Sequence, residues 1–303
     1  MCVISATLDC WKLGLPCTTK RPPEMPILAA TLGGEEDNAM LTSASKPAQK
    51  PAPALHEFFR RLVRCSKFPV PRLLNGRFTL TASNLIGTTP TEPHVLRWID
   101  ELLRPRDTFF DVGAHYGWMS LVACHRVGAS GKVIAFEPSP PLVKLLQYNK
   151  KVNGFRQMEV VSKAVADSDN RLVPFYLLDG GNSFLNSLID HPVDPSASRT
   201  GQKSVTHVET ITLDEFCKTT DLQPNAVKID IEGGELLALQ GCTGLLKGRR
   251  TAFIVAVHPT WLPEGQKVVE LFDLFRALRY RIAASQFVHY DGADFGDYLF
   301  VPD

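Results

Sequence analysis

The 303-residue sequence has no C-x-x-C pair, no apolar run long enough to span a bilayer, and almost no excess of charge, with a formal net of +1. Its seven cysteines, Cys2, Cys10, Cys17, Cys65, Cys124, Cys217 and Cys242, are scattered with no histidine at zinc spacing, which argues against a structural zinc site. An odd number of thiols, several in apolar runs, reads as reduced cysteine in a cytoplasmic protein. The charge balance gives no global electrostatic reason to expect nucleic acid. The first twenty residues lack a basic start and a continuous apolar core, so neither secretion nor a transmembrane segment is expected. No G-x-G-x-x-G dinucleotide loop is present either.

A different glycine loop is present. Thr108 to Val112 reads as a buried strand, followed by Gly113, Ala114, His115, Tyr116 and Gly117 and then the helix-forming run Trp118 to Val127. The glycines permit a tight turn with close backbone approach, and the following helix presents its positive end to whatever occupies the turn. Asp111 stands two residues before the first glycine, giving D-x-G-x-x-x-G. An acid there suits a cationic ligand better than a diphosphate. S-adenosylmethionine, with an ammonium, a sulfonium and no phosphate, fits that description. Just over twenty residues on, a second strand, Val133 to Phe136, ends in Glu137 and Pro138, where a carboxylate can accept both ribose hydroxyls of an adenosine cofactor.

Along the chain, residues 1–54 are rich in Pro, Ala, Ser and Thr without sustained periodicity and read as a disordered or leader segment. Residues 55–90 form a lead-in that opens with an amphipathic basic helix, Leu55 to Lys67, expected to pack on the main domain at 91–303. Pro93 marks a helix start, and Glu92 just before it would lie near the cofactor's amino-acid end or simply complement the helix dipole. Ser139 to Val152 reads as a helix with Ser139 as its cap, and Met158 to Val161 as a third strand. Lys163 to Asp167, including Ala164 and Val165, follow at that strand's end, where a doubly wound sheet borders the adenine ring. Arg171 to Leu178 and Ser204 to Thr212 are further strands. The polar stretch between them makes Asn182, Ser183, Asn186 and Ser187 candidates for a substrate loop.

The second chemical stretch is residues 227–235, VKIDIEGGE. Strand alternation is expected to send Lys228, Asp230 and Glu232 to one side, where three ionisable groups need partners or a task. A helix from about Gly234 to Leu246 follows. The next strand, Phe253 to Val257, ends in His258, at the carboxyl edge where open α/β sheets hold ligands. Gln266 to Leu278 reads as a helix, Tyr280 to Ser285 and Asp297 to Val301 as strands, and Val288 to Gly296 as turn-like. Five β/α units followed by a terminal hairpin indicate an α/β, Rossmann-like fold of the class I methyltransferase kind: a mostly parallel seven-stranded sheet, helices on both faces and a C-terminal antiparallel β-hairpin.

Together these motifs resemble the FkbM-type S-adenosylmethionine-dependent methyltransferases. The resemblance rests on residues 109–117 (FFDVGAHYG), 133–140 (VIAFEPSP), Asn153-Gly154, Lys163 to Val165, Thr212 to Asp214, 227–235 and His258, and covers roughly residues 90–290. The family usually carries Asn where this chain has His115. The resemblance implies methyl transfer from S-adenosylmethionine to a hydroxyl of a sugar, glycan or secondary metabolite. Asp230 or His258 would act as base or its orienter, with Lys228 and Glu232 shaping the charge around them. Glu92, Asp111, Gly113, Ala114, His115, Gly117, Glu137, Pro138, Ala164 and Val165 would contact the cofactor, and Asp230 is equally placed to bind its ammonium. No cluster at metal-ligand spacing demands a metal ion. Two other readings stand beside this one: a catalytically silent scaffold that binds a partner, and a nucleotide-dependent oxidoreductase, for which the sequence lacks the pyrophosphate loop.

Overall fold

The computed structural model describes residues 71–74, 78–81, 92–178, 186–190, 203–290 and 293–303. The leader, the basic helix at 55–67, Asn182 and Ser183 lie outside the described residues. All described elements belong to the unit Pro51–Asp303.

A short antiparallel hairpin, β1 (Pro71–Leu74) and β2 (Phe78–Thr81), precedes the main fold. Helix α1 (Pro93–Leu102) starts with proline in its first turn, where the missing N–H costs nothing, and buries Val95, Trp98 and Ile99. Then β3 (Thr108–Val112), α2 (Trp118–Val127), β4 (Lys132–Phe136), α3 (Pro140–Val152) and β5 (Met158–Val161) wind in order. Two-residue β6 (Ala164–Val165), β7 (Leu172–Leu178) and β8 (Lys203–Ile211) form a separate three-stranded sheet. The chain returns through α4 (Leu213–Thr220), β9 (Ala226–Ile229), α5 (Glu235–Gln240), α6 (Thr243–Gly248), β10 (Ala252–Val257), a 3₁₀ turn (Pro259–Trp261), α7 (Val268–Ala277), β11 (Tyr280–Tyr290) and β12 (Ala293–Pro302).

The main sheet has the order β11-β12-β10-β9-β3-β4-β5. β5, β4, β3, β9 and β10 pair in parallel, and β12 is inserted antiparallel between β10 and β11. The order reverses between β3 and β9, the switch point at which open α/β sheets open a crevice. This is the seven-stranded class I methyltransferase architecture, with its terminal hairpin.

Alternate residues of each strand serve opposite cores. Phe110, Phe136, Val227, Ile229, Phe253 and Phe300 pack with α4, α5, α6 and α7. Phe110, Phe136 and Phe216 meet edge to face with centroids 5.0–5.7 Å apart, so the face opposite α1 is closed by aromatic packing. Phe109, Ala135, Ala226, Ile254 and Leu299 pack with α1 and α2.

Three expectations need correction. The helix drawn from Gly234 to Leu246 is two helices, because at Gly241 a side chain would fall 2.0 Å from the Ala166 carbonyl oxygen and the chain must pass close to β6. Asp214 starts the second of them by accepting hydrogen bonds from Gly244 N (2.7 Å) and Leu245 N (3.0 Å), so the acid of the Thr212-Leu213-Asp214 motif has a structural task. Thr212 likewise caps α4, accepting from Glu215 N. The turn-like stretch 288–296 is mostly strand: Val288 pairs with Phe295 and Phe287 with Gly296, and the pairing continues to Tyr290 and Ala293. The glycines and aspartates in this stretch obscured the alternation in the sequence. Finally, Ser139 occupies the N-cap of α3 without a side-chain capping bond. Its backbone N–H donates to Glu137 instead.

Candidate functional site

The loop after β3 is shaped from outside. Gly113 N and Ala114 N both donate to Phe136 O at 3.0 Å, and buried Asn149 of α3 donates from Nδ2 to Tyr116 O at 2.7 Å. Gly113 has φ +79, and a Cβ on it would lie 2.0 Å from the Asp230 carbonyl oxygen. Gly117 has φ +94, and a Cβ there would meet Leu146 Cδ1 at 2.3 Å. Gly113 needs glycine both for conformation and for room, and Gly117 for its conformation. His115, at φ 53, keeps a left-handed backbone with a side chain, and its ring packs edge to face on Tyr116. Burial holds the His115 imidazole down at about 4.

Glu137 ends β4 with both oxygens tied to backbone. Oε2 accepts from His115 N at 2.8 Å and Oε1 from Ser139 N at 2.9 Å. Half-buried Pro138 lies in the turn between them. Burial pushes the carboxyl up to about 7 against the pull of those two amides. Asp111 is buried beneath the loop, where Oδ2 accepts from Ser120 Oγ at 2.5 Å and Oδ1 has no hydrogen-bond partner among the described residues. Burial raises its carboxyl, with Lys228 opposing.

Asp111 and Lys228 are register neighbours across β3 and β9, and both lie on the face toward α1 and α2. Lys228 is 5% exposed, and its Nζ donates to Asp230 Oδ2 at 2.9 Å. Burial alone would lower the Lys228 ammonium, but Asp230, Asp111 and Glu92 outweigh it and raise it. Burial likewise would raise Asp230, yet Lys228 and then His258 hold it below the usual range.

The alternation drawn through Lys228, Asp230 and Glu232 applies to Lys228 alone, because β9 stops at Ile229. A turn then gathers the acids. Glu232 adopts φ 56 and Gly233 φ 96, while Glu235 accepts from Gly233 N at 3.1 Å and Ser187 Oγ donates to Glu232 O at 2.8 Å. Of the substrate-loop candidates, Ser187 therefore meets this turn, and Asn186 instead accepts from Leu178 N.

His258 leaves the end of β10 into the same place. Its Nδ1 lies 2.9 Å from Glu235 Oε1, and its Nε2 lies 3.3 Å from Glu232 Oε2 and 3.9 Å from Asp230 Oδ1. Its ring stacks on Trp261 with centroids 5.0 Å apart. Burial alone would lower the His258 pKa, but Glu232 and then Glu235 bring it up to about 10. The donor atoms of Asp230, Glu232 and His258 lie within 4.8 Å of one another.

A further wall comes from residues that sequence reasoning gave no role. Asp297 of β12 pairs with Ala256, two residues before His258, and its Oδ2 lies 2.5 Å from His94 Nε2 on α1. Burial and then Asp230 push Asp297 up to about 7, and the same two causes bring Glu92 to about 7. The available signal was Asp297 on the inward parity of Leu299 and Val301. Glu235 had its signal inside the E-G-G-E stretch. Ala164 and Val165 stand apart from the charged cluster: Ala164 packs on Phe175 and Val208, and Val165 joins the core around Phe110.

A family model for the methyltransferase FkbM domain matches residues 111–282, more than half of the chain. The chain belongs to the FkbM methyltransferase domain family. Among solved structures, the fold is similar to a methyltransferase FkbM from Methylobacillus flagellatus, with 17% identity, coverage of 67% of this chain and 50% of that one, and a TM-score of 0.42. A SAM-dependent O-methyltransferase from Thermotoga maritima gives 14%, 72%, 68% and 0.41 in the same order. An rRNA methylase from Streptococcus thermophilus gives 8%, 72%, 100% and 0.44. The chain spans half the length of the Methylobacillus structure. No curated protein matches the chain.

Proposed function

We propose that this FkbM-family domain transfers the methyl group of S-adenosylmethionine to a hydroxyl oxygen of a sugar, glycan or secondary metabolite. The supporting observation is the pairing of Glu137 with the loop 113–117: a buried carboxylate, held by His115 N and Ser139 N, at the switch-point end of the sheet. Glu137 takes the ribose hydroxyls, with Pro138 shaping the turn. Gly113, Ala114, His115 and Gly117 supply backbone close to the cofactor. Ala164 and Val165 floor the adenine side. Asp111, Glu92 and Asp230 surround the amino-acid end, where the ammonium and sulfonium answer an excess of buried carboxyl groups.

The acceptor hydroxyl lies toward Asp230 and His258, which serve as base and orienter, with Lys228 and Glu232 setting the charge around them. The sulfonium is already a good leaving group, so the protein chiefly holds oxygen, carbon and sulfur in line. As the O–C bond forms, the S–C bond breaks, neutral S-adenosylhomocysteine remains, and the hydroxyl proton is removed. The chain works in the cytoplasm, a reading supported by Cys124, Cys217 and Cys242, which are free and buried. No helix among the described residues is long and apolar enough to cross a membrane.

Calorimetric titration of the full chain with S-adenosylmethionine, S-adenosylhomocysteine and NAD tests the reading. Binding of the two sulfur compounds and not of NAD is expected. NAD binding alone would return the oxidoreductase, and absence of all three would return the silent scaffold. His258→Ala is expected to leave cofactor affinity nearly intact and to depress turnover.

A further inference from the structure

Around the end of β10, two side chains each have one polar atom anchored and another turned to a common point, and a third joins them from an anchored backbone. His258 has Nδ1 on Glu235 Oε1 at 2.9 Å, and Glu235 is itself 0% exposed. Asp230 has Oδ2 on Lys228 Nζ at 2.9 Å. Glu232 has its backbone fixed by Ser187 Oγ on its carbonyl oxygen. The remaining atoms, His258 Nε2, Asp230 Oδ1 and Glu232 Oε2, converge, with Nε2 at 3.3 Å from Oε2 and 3.9 Å from Oδ1.

An imidazole whose far nitrogen is held by a buried carboxylate is the arrangement by which proteins aim a metal-ligating histidine. Ligands about 2.1 Å from an ion and at right angles to each other stand about 3 Å apart, so this triad, whose donor atoms lie within 4.8 Å of one another, would close on one by drawing inward. A second observation is independent of the triad's shape. Asp230, Glu232 and Glu235 all lie against Lys228 or His258, so three carboxyl groups share two cationic side chains and the balance calls for a further cation. The proposed cofactor, held from Glu137 and Asp111 on β4 and β3, answers this need at its own end of the crevice. The Glu232–His258–Glu235 group lies on the other side of β9, beside β10.

We propose that Asp230 Oδ1, Glu232 Oε2 and His258 Nε2 form a binding site for one divalent transition-metal ion, of the Mn2+, Fe2+ or Zn2+ class. One imidazole and two carboxylates with no thiol select these ions over copper(I), and the imidazole disfavours calcium. The inference deepens the methyl-transfer reading and rests on it for its use: the ion lies where the acceptor hydroxyl is presented, and a hydroxyl bound to it is more acidic. In that form of the site Asp230 and His258 hold the ion, and the hydroxyl proton leaves to water.

The test uses the full chain, stripped with EDTA and titrated with MnCl2, with free Mn2+ read by electron paramagnetic resonance. One ion per chain is expected, with nitrogen modulation from a bound imidazole in the pulsed spectrum. His258→Gln and Glu232→Gln are each expected to weaken binding about 10- to 100-fold. No binding of Mn2+ by folded protein, or binding that survives both substitutions, overturns the site. Should His258→Gln fail to fold, the nitrogen modulation of the unsubstituted protein together with Glu232→Gln decides. A parallel titration with S-adenosylmethionine in EDTA separates the two readings: metal bound without cofactor overturns methyl transfer, and cofactor bound without metal overturns the ion.

Discussion

Glu137 binds two loops at once, and its removal therefore acts on shape as well as on charge. Glu137→Ala is expected to weaken S-adenosylmethionine binding by about 1–3 kcal/mol, the worth of charge-assisted hydrogen bonds to the ribose plus the freed amides of His115 and Ser139. Calorimetry on a folded variant with unchanged affinity would remove Glu137 from the site. At Gly113 the obstacle is steric. A methyl group 2.0 Å from the Asp230 carbonyl oxygen, on a backbone at φ +79, forces the two loops apart. Gly113→Ala is expected to cost at least about 2 kcal/mol in urea unfolding, and a cost under 0.5 kcal/mol would show that the loops yield freely. Glu137, Asp111 and the glycines were legible because their meaning lies in spacing along one strand-turn-helix. Asp297, His94 and Glu235 were not, since each acquires its task from a partner 203 or 23 residues away.

At the scale of elements, legibility followed local periodicity. α2, β3, β4, β5 and β10 came out close to their expected bounds, and α1 at its expected start, each an apolar run with a clear boundary. The reading failed where a distant backbone dictated the break. Gly241 is a close approach to Ala166, visible only once β6 lies beside it. The turn after β9 could not be read from alternation because the acids there are gathered by backbone hydrogen bonds to Glu235 and by Ser187. The start of α6 offers a clean check. Asp214 accepts from two of its first amides, so Asp214→Ala is expected to lower stability by about 1 kcal/mol, as for loss of a helix cap, with little effect on cofactor affinity. A change in cofactor affinity larger than the change in stability would instead tie Asp214 to the binding site.

Across the whole molecule the main sheet has one apolar face and one with a polar inlay. Toward α4 to α7 it presents phenylalanine and aliphatic side chains, and toward α1 and α2 it carries Asp111, Lys228 and Asp297. Buried carboxyls make this arrangement sensitive to pH. Glu137 and Asp297 stand at about 7 when folded, above the 4.5 and 3.8 of free carboxyls, so between about pH 4 and 7 the folded chain holds protons that the unfolded chain has released. From pH 5.5 upward the two carboxyls together are therefore expected to lower stability by about 2–4 kcal/mol, with His115, held at about 4 when folded, opposing them below pH 6.5. Urea midpoints at pH 5.5 and 8.5 measure it, and Asp297→Asn should flatten the slope. A midpoint that climbs toward pH 8.5 would contradict the expectation.

Because Gly113 leaves no room between its own backbone and the carbonyl of Asp230, the turns after β3 and β9 behave as one part. An engineer who transplants the second turn from a relative, hoping to change the acceptor, must carry the first turn along with it.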